Sequence, residues 1–155
     1  MKIRPVQKSD VAPVVELIGA IWAEYDCVLD VESEETYLLA PVEYFHARGG
    51  EFWVAEENDE IIATVAVLLL DAKTAELKTL YVAKDFRQKG LGEDLTKLAV
   101  EFARRKGASE MILWSDTRFT KAHRLYERLG FERGGERVLD DLNNSTEFGF
   151  SLQIL

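Results

Sequence analysis

Apolar positions along the chain change their period several times, and each change predicts an element. "KIRPV" near the N-terminus reads as a short strand. In "SDVAPVVELIGAIWAEY", Val14, Leu17, Ile18 and Ile21 recur at helical spacing; Ser9 is the expected N-cap, and Pro13 falls in the first turn, where a missing N–H does little harm. The following "DCVLDVESEETYLLAPVEYFHARGG" is acidic, then half-apolar, and interrupted by Pro41; it predicts one or two short helices. From Gly50 the period falls to two. "EFWVAEE" and "EIIATVAVLLL" flank "ND" as a hairpin. After the turn at "DAKTA", "ELKTLYVA" alternates Leu77, Thr79 and Tyr81 against Glu76, Lys78, Leu80 and Val82.

"KDFRQKGLG" then leads straight into a helical stripe of Leu91, Leu95, Leu98, Ala99 and Phe102, which closes on "RRKG" with Gly107 just beyond. "SEMILW" is a short strand reached through that helix, so it is expected beside and parallel to the strand before it. "FTKAHRLYERLGF" predicts a helix with Ala122, Leu125, Tyr126 and Leu129 inward and Gly130 as its stop. His123, one residue off that stripe, is expected at the surface. Two closing strands, in "FERGGERVLDD" and "STEFGFSLQIL", flank a turn at "LNN". No repeat, linker or low-complexity tract interrupts this order, which predicts one mixed α/β domain over residues 1–155. Its sheet is largely antiparallel, with one parallel pair at the centre.

Composition narrows the picture. The 155 residues are 47% hydrophobic and 30% charged, enough for a core and a soluble surface. A net charge of −9 lacks the basic footprint of a nucleic-acid binder; it weakly favours a cationic substrate, although solubility alone accounts for the sign. "IIATVAVLLL" is too short to span a bilayer, and "MKIRPVQKSD" has no apolar signal region, so no membrane association is expected. The lone Cys27 forms no internal disulfide. It reads as a small buried hydrophobe in a protein of the reducing cytoplasm. His46 and His123 lack convergent partners, so no metal site is expected.

The chemistry concentrates at "RQKGLG". A helix start leaves N–H groups without partners, and its dipole favours an anion. Gly90 and Gly92 leave the backbone bare, while Arg87, Gln88 and Lys89 add donors and positive charge. The dinucleotide pattern G-x-G-x-x-G fails, because Leu95 stands where its third glycine belongs, and no Walker Gly-Lys-Ser/Thr occurs.

"LYVAKDFRQKGLG" and the later "AHRLYERLGF" together resemble the GCN5-related N-acetyltransferase (GNAT) superfamily, and the looser match in element order runs over nearly the whole chain. The resemblance implies an α/β (α+β) fold whose mixed, mostly antiparallel sheet of about six or seven strands is flanked by helices. The central parallel pair would be splayed to hold the cofactor. It implies acetyl-CoA as acyl donor, without a metal. Leu80, Tyr81 and Val82 would pair with the pantetheine, and Arg87, Gln88, Lys89, Gly90, Leu91, Gly92 and Glu93 would hold the diphosphate. One departure stands at Phe119, where many relatives carry Asn against the cofactor arm.

The implied reaction is attack of an amine on a thioester. A lysine-like amine is protonated at neutral pH, and freeing it costs about 4.6 kcal/mol for a pKa near 10.4. Glu76 is the first candidate base, with Glu51 and Glu56 behind it. By position in the family, the Leu80 N–H would polarise the carbonyl and Tyr126 would serve the leaving thiolate. Trp22, Tyr25, Tyr44, Phe45 and Trp53 suit either an acceptor pocket or the core. The expected acceptor is a small-molecule amine, with a protein or peptide amine as the alternative. A non-catalytic acyl-CoA sensor is the rival from another class. The resemblance also allows a homodimer.

Overall fold

A computed structural model of the protein describes residues 1–154. Seven strands form one sheet in the order β1-β2-β3-β4-β5-β7-β6. They are β1 (Lys2–Pro5), β2 (Glu51–Glu57), β3 (Glu60–Leu69), β4 (Thr74–Val82), β5 (Glu110–Asp116), β6 (Glu132–Val138) and β7 (Thr146–Gln153). Every neighbouring pair is antiparallel except β4 and β5. The helices are α1 (Val11–Ala23), α2 (Pro41–His46), α3 (Leu91–Arg105) and α4 (Thr120–Arg128). The ambiguous segment before the hairpin resolves into a 3-10 turn over Thr36–Leu39 and then α2, with Pro41 at its first turn.

Local chemistry explains most boundaries. Asn58 and Asp59 both adopt positive φ, 51° and 62°, the turn whose twist matches a hairpin. Asp71 Oδ1 accepts from the amides of Lys73 and Thr74, both at 2.8 Å, and so closes the β3–β4 turn. At the start of α1 the cap is Asp10, not Ser9. Its Oδ2 accepts from the Gln7 amide at 2.7 Å, and Arg4 grips both carboxylate oxygens at 2.7 and 2.9 Å.

The two faces of the sheet bury separate apolar clusters. On one, Val65, Val67, Leu77, Met111 and Leu113 meet Leu91, Leu95 and Ala99 of α3 and Tyr126 of α4. On the other, Phe52, Val54, Ala66 and Leu68 meet Val14 and Ile18 of α1 and Phe45 of α2.

His123 departs from the sequence expectation. It is only 2% exposed, and its Nε2 lies 3.0 Å from both Ser115 Oγ and the Asp116 carbonyl. The short α4 buries the His123–Tyr126 edge against β5 and β7, with the imidazole ring against Phe148 and Phe150. An amphipathic stripe locates the apolar face but does not see a polar side chain whose partners lie on another strand.

Candidate active site

The site begins where β4 and β5 stop pairing. Their parallel register runs only from Thr74 opposite Glu110 to Glu76 opposite Ile112. Beyond that both strands continue, to Val82 and Asp116, without each other's hydrogen bonds. The gap opens into a cleft of about 710 Å³ that reaches from the α3 and α4 side of the sheet to the α1 and α2 side.

A bulge in β4 shapes its upper edge. Ala66 pairs with Lys78 and Thr64 with Tyr81, so Thr79 and Leu80 together oppose Val65. Thr79 takes φ 51°, a left-handed conformation that costs a β-branched residue on the order of 1–3 kcal/mol. Thr64 Oγ1, fully buried, donates to the Thr79 carbonyl at 2.6 Å.

The bulge overturns the alternation expected for β4. Past it, Leu80 and Val82 join Leu77 on the α3 side. Tyr81 moves to the α1 side, where it shares a face with Glu76 and Lys78. There its hydroxyl accepts from Trp22 Nε1 at 3.0 Å.

At the end of β4 the chain turns through residues 84–90 into α3. Gln88 and Gly90 adopt φ of 61° and 84°, and Gly90 is the N-cap. A methyl group on Gly90 would meet nothing within 4 Å, so glycine here supplies backbone conformation and open space. The amides from Gln88 to Glu93 donate to no backbone carbonyl among the described residues. They form the bare rim that suits a diphosphate.

The side chains of this loop divide. The Arg87 guanidinium is committed to Glu24 at the end of α1, at 2.7 and 2.8 Å, and to the Val82 carbonyl at 2.9 Å. In this arrangement Arg87 ties β4 to α1. Glu93 borders the cleft, but its carboxylate reaches along the helix to Lys97 at 3.8 Å. Leu91 is core, and Lys89 is exposed beside the Phe86 ring. Lys121, Arg124 and Arg128 of α4 add cationic lining, to which the sequence alone assigns no role.

Tyr126 is 4% exposed, lines the cleft, and packs on Phe131 and Phe150. Burial pushes its phenol well above the ordinary value. The group therefore stays protonated at any physiological pH and acts as a hydrogen-bond donor.

On the α1 side the cleft wall is aromatic and acidic. Phe119 packs edge-on against Tyr25 and Tyr81, with centroids 4.9 and 6.3 Å apart. It offers no hydrogen bond where a polar side chain was in question. Trp22 and Tyr25 line the cleft, whereas Phe45 and Trp53 belong to the core and Tyr44 stacks under Arg48. Glu76 lies near Lys78, at 3.9 Å, and faces this side.

Glu51 and Glu56 are engaged elsewhere, with His46 at 3.0 Å and Arg4 at 3.3 Å. Cys27 lines the cleft within 2.9 Å of Arg118 Nη1, and burial raises its thiol above the usual range. A hydrophobe it is not entirely, since its sulfur accepts that hydrogen bond. The segment before α2 is tied across the cleft to the loop between β6 and β7. Asn143 accepts from the Val28 amide and donates to the Val28 carbonyl, at 2.9 and 2.8 Å, and Glu34 accepts from the Leu142 amide at 3.0 Å. Among the described residues there is no cluster of three or more metal-ligating side chains.

Comparison with known proteins finds a family model, the acetyltransferase (GNAT) family, matching residues 16–131. Human N-acetyltransferase 8 is 31% identical over 121 residues, 74% of this chain and 52% of that protein. N-acetylaspartate synthetase from Danio rerio is 35% identical over 114 residues, 72% of this chain and 38% of that protein. The chain thus spans about half the length, or less, of these relatives. An acetyltransferase structure from Streptococcus agalactiae superposes with a TM-score of 0.85 at 24% identity, covering 99% of this chain and 98% of that one. The protein yncA from Salmonella typhimurium, whose structure holds acetyl-CoA as its cofactor, gives 0.76 at 22% identity, covering 99% and 94%. At these identities the structural likeness speaks to the fold.

Proposed function

The chain belongs to the acetyltransferase (GNAT) family, and on that premise we propose that it transfers the acetyl group of acetyl-coenzyme A to a primary amine of a small molecule, by direct attack with both substrates bound. The observation that carries the reading is the continuity of the cleft. Free amides from Gln88 to Glu93, the unpaired stretch of β4 and the Tyr126 hydroxyl border one space.

The residues present fit the donor. Helix-start amides and the cations of α4 suit phosphates, and the splayed strands offer backbone groups to an extended amide chain. Acetyl-CoA supplies the activated thioester carbonyl. The bulge sets the backbone around Leu80 at the head of the gap, where an N–H stabilises negative charge on that carbonyl oxygen. Tyr126 donates a hydrogen bond to the departing sulfur. With its phenol raised by burial, full proton transfer is more uphill than the roughly 2 kcal/mol separating an ordinary tyrosine from a thiol.

A small acceptor is favoured over a peptide because residues 28–34 are tied to residues 142–143 across the acceptor side. That tie roofs the space a polypeptide would need as an open groove. The test is release of free CoA from acetyl-CoA over a panel of small amines and peptides. Turnover with small amines supports the reading. Turnover confined to peptides moves the acceptor to protein amines, and binding of acetyl-CoA without turnover leaves a sensor.

A further inference from the structure

This inference deepens the acetyltransferase reading and rests on it. Several carboxylates line the α1 side of the cleft, and three of them have a cation. Glu147 meets Arg137 at 2.7 Å, Asp116 meets Arg118 at 3.2 Å, and Glu76 lies 3.9 Å from Lys78. Glu34, Asp141 and Glu35 have no cation. Glu34 and Asp141 accept from the amides of Leu142 and Ser145, although Glu34 Oε1 is without a partner; Glu35 alone of these has no side-chain hydrogen bond at either oxygen among the described residues. It lines the cleft, and its Oε2 is sealed from solvent with no hydrogen-bond partner among the described residues. An orphaned carboxylate oxygen is costly, and such a group marks a place where a donor is expected.

The turn that carries Glu35 is firmly built. Asp30 Oδ1 accepts from the amides of Glu32 and Ser33 at 3.1 and 3.0 Å, and the Asp30 carbonyl accepts from the Glu35 amide at 2.8 Å. The Glu35 carbonyl in turn accepts from the Leu38 amide at 3.1 Å. The carboxylate is therefore held in the cleft by its backbone rather than by a partner.

We propose that Glu35 receives the ammonium group of a cationic amine acceptor and takes the proton that the nitrogen must lose before it attacks. The balance is simple. The ammonium gives one proton to the Glu35 carboxylate, which passes it to water. The nitrogen forms its bond to the acetyl carbon as the carbon–sulfur bond breaks, and its second proton ends on the departing sulfur.

The electrostatics suit that role. Burial, first, and then the charge of Glu34 push the Glu35 carboxyl up to about 7, where a base works best near neutral pH. Asp30 from the same loop and Asp141 from the β6–β7 loop add to the rise, and Lys78 of β4 opposes it. Tyr37 and Tyr81, whose phenols feel Glu35, are themselves raised by burial and stay neutral. Glu76 faces the same side but already has Lys78 beside it. Glu34 and Asp141 supply negative potential for a second positive charge on the acceptor.

The experiment uses 1,4-diaminobutane as probe, with wild type and Glu35→Gln compared. Calorimetry in the presence of free CoA reads binding without turnover. The expected result is at least tenfold weaker diamine binding to the variant with CoA binding unchanged. No diamine binding by the wild type, or equal binding by both, overturns the proposal whether or not any acetylation occurs.

Turnover reads the proton. Wild-type kcat/KM is expected to fall below pH about 7. In Glu35→Gln that limb should vanish, with activity on the order of 10²-fold lower at neutral pH and climbing toward the pKa of the amine itself. Retention of the limb in Glu35→Gln, or its loss in Glu76→Gln instead, moves the base to another residue. A wild type that binds the diamine through Glu35 yet turns over no amine removes the acetyltransferase reading, and the proton-taking role with it.

Discussion

The Thr64 hydroxyl donates to the Thr79 carbonyl at 2.6 Å, and so one buried side chain on β3 holds the bulge that opens the sheet. The contact stabilises a backbone conformation that Thr79 would not choose alone. Thr64→Val keeps the volume and leaves the carbonyl without its donor, a loss of about 1–3 kcal/mol. We expect a lower melting temperature and roughly a tenfold fall in kcat/KM for acetyl-CoA, read by steady-state kinetics. Unchanged kinetics would detach the bulge from catalysis.

Tyr126→Phe removes one oxygen from a well-packed site. Turnover should drop by about 10²-fold, while the rise in melting temperature on adding acetyl-CoA persists. A variant as active as wild type takes Tyr126 out of the chemistry.

Gly90→Ala separates conformation from contact. Space for the methyl group exists, but a φ of 84° does not suit alanine. Stability should fall by about 1 kcal/mol in denaturant unfolding. Acetyl-CoA affinity should fall further than that, because the amides of residues 88–93 lose their common alignment.

Acid should destabilise the fold in two stages. Burial lowers His123 below its ordinary value, so the native state holds it neutral. The unfolded chain binds the extra proton first, and stability falls as pH drops below about 6.5. Arg4 lowers Asp10, whose contribution is present above the ordinary carboxylate value near 3.8 and is lost as pH falls further. Glu35 acts with the opposite sign, since its raised carboxyl favours the fold below pH 7 and loses that contribution as pH rises through it. Melting temperatures across pH 3 to 9 for wild type, His123→Gln and Asp10→Asn should resolve the stages. Asp10→Asn should cost about 1–3 kcal/mol at neutral pH, because Arg4 and the Gln7 amide lose a charged acceptor while Arg4 keeps Glu56.

Elements with a strong period were legible in the sequence: the hairpin around Asn58 and Asp59, the α3 stripe, and the parallel return to β5. The bare loop before α3 was legible because glycine is the signal. Side-chain commitments across the sheet were not. Nothing in "ELKTLYVA" marks Thr79 as a bulge, because its donor sits on β3. The pairing of Arg87 with Glu24, far away in the chain, has no signal in the loop's own sequence. Glu35 is one acidic residue among 28 Asp and Glu, and its burial without a side-chain hydrogen bond has no signal in the sequence.

The early end of β4–β5 pairing leaves a window in an otherwise continuous wall. The cations of α4 frame one pane; carboxylates, three of them paired with Lys78, Arg118 or Arg137, frame the other. Under the proposed function, an anionic donor and a cationic acceptor would approach from opposite rooms and touch only at the sill. Neither has to leave before the other arrives, and initial-rate plots should give lines that intersect rather than run parallel.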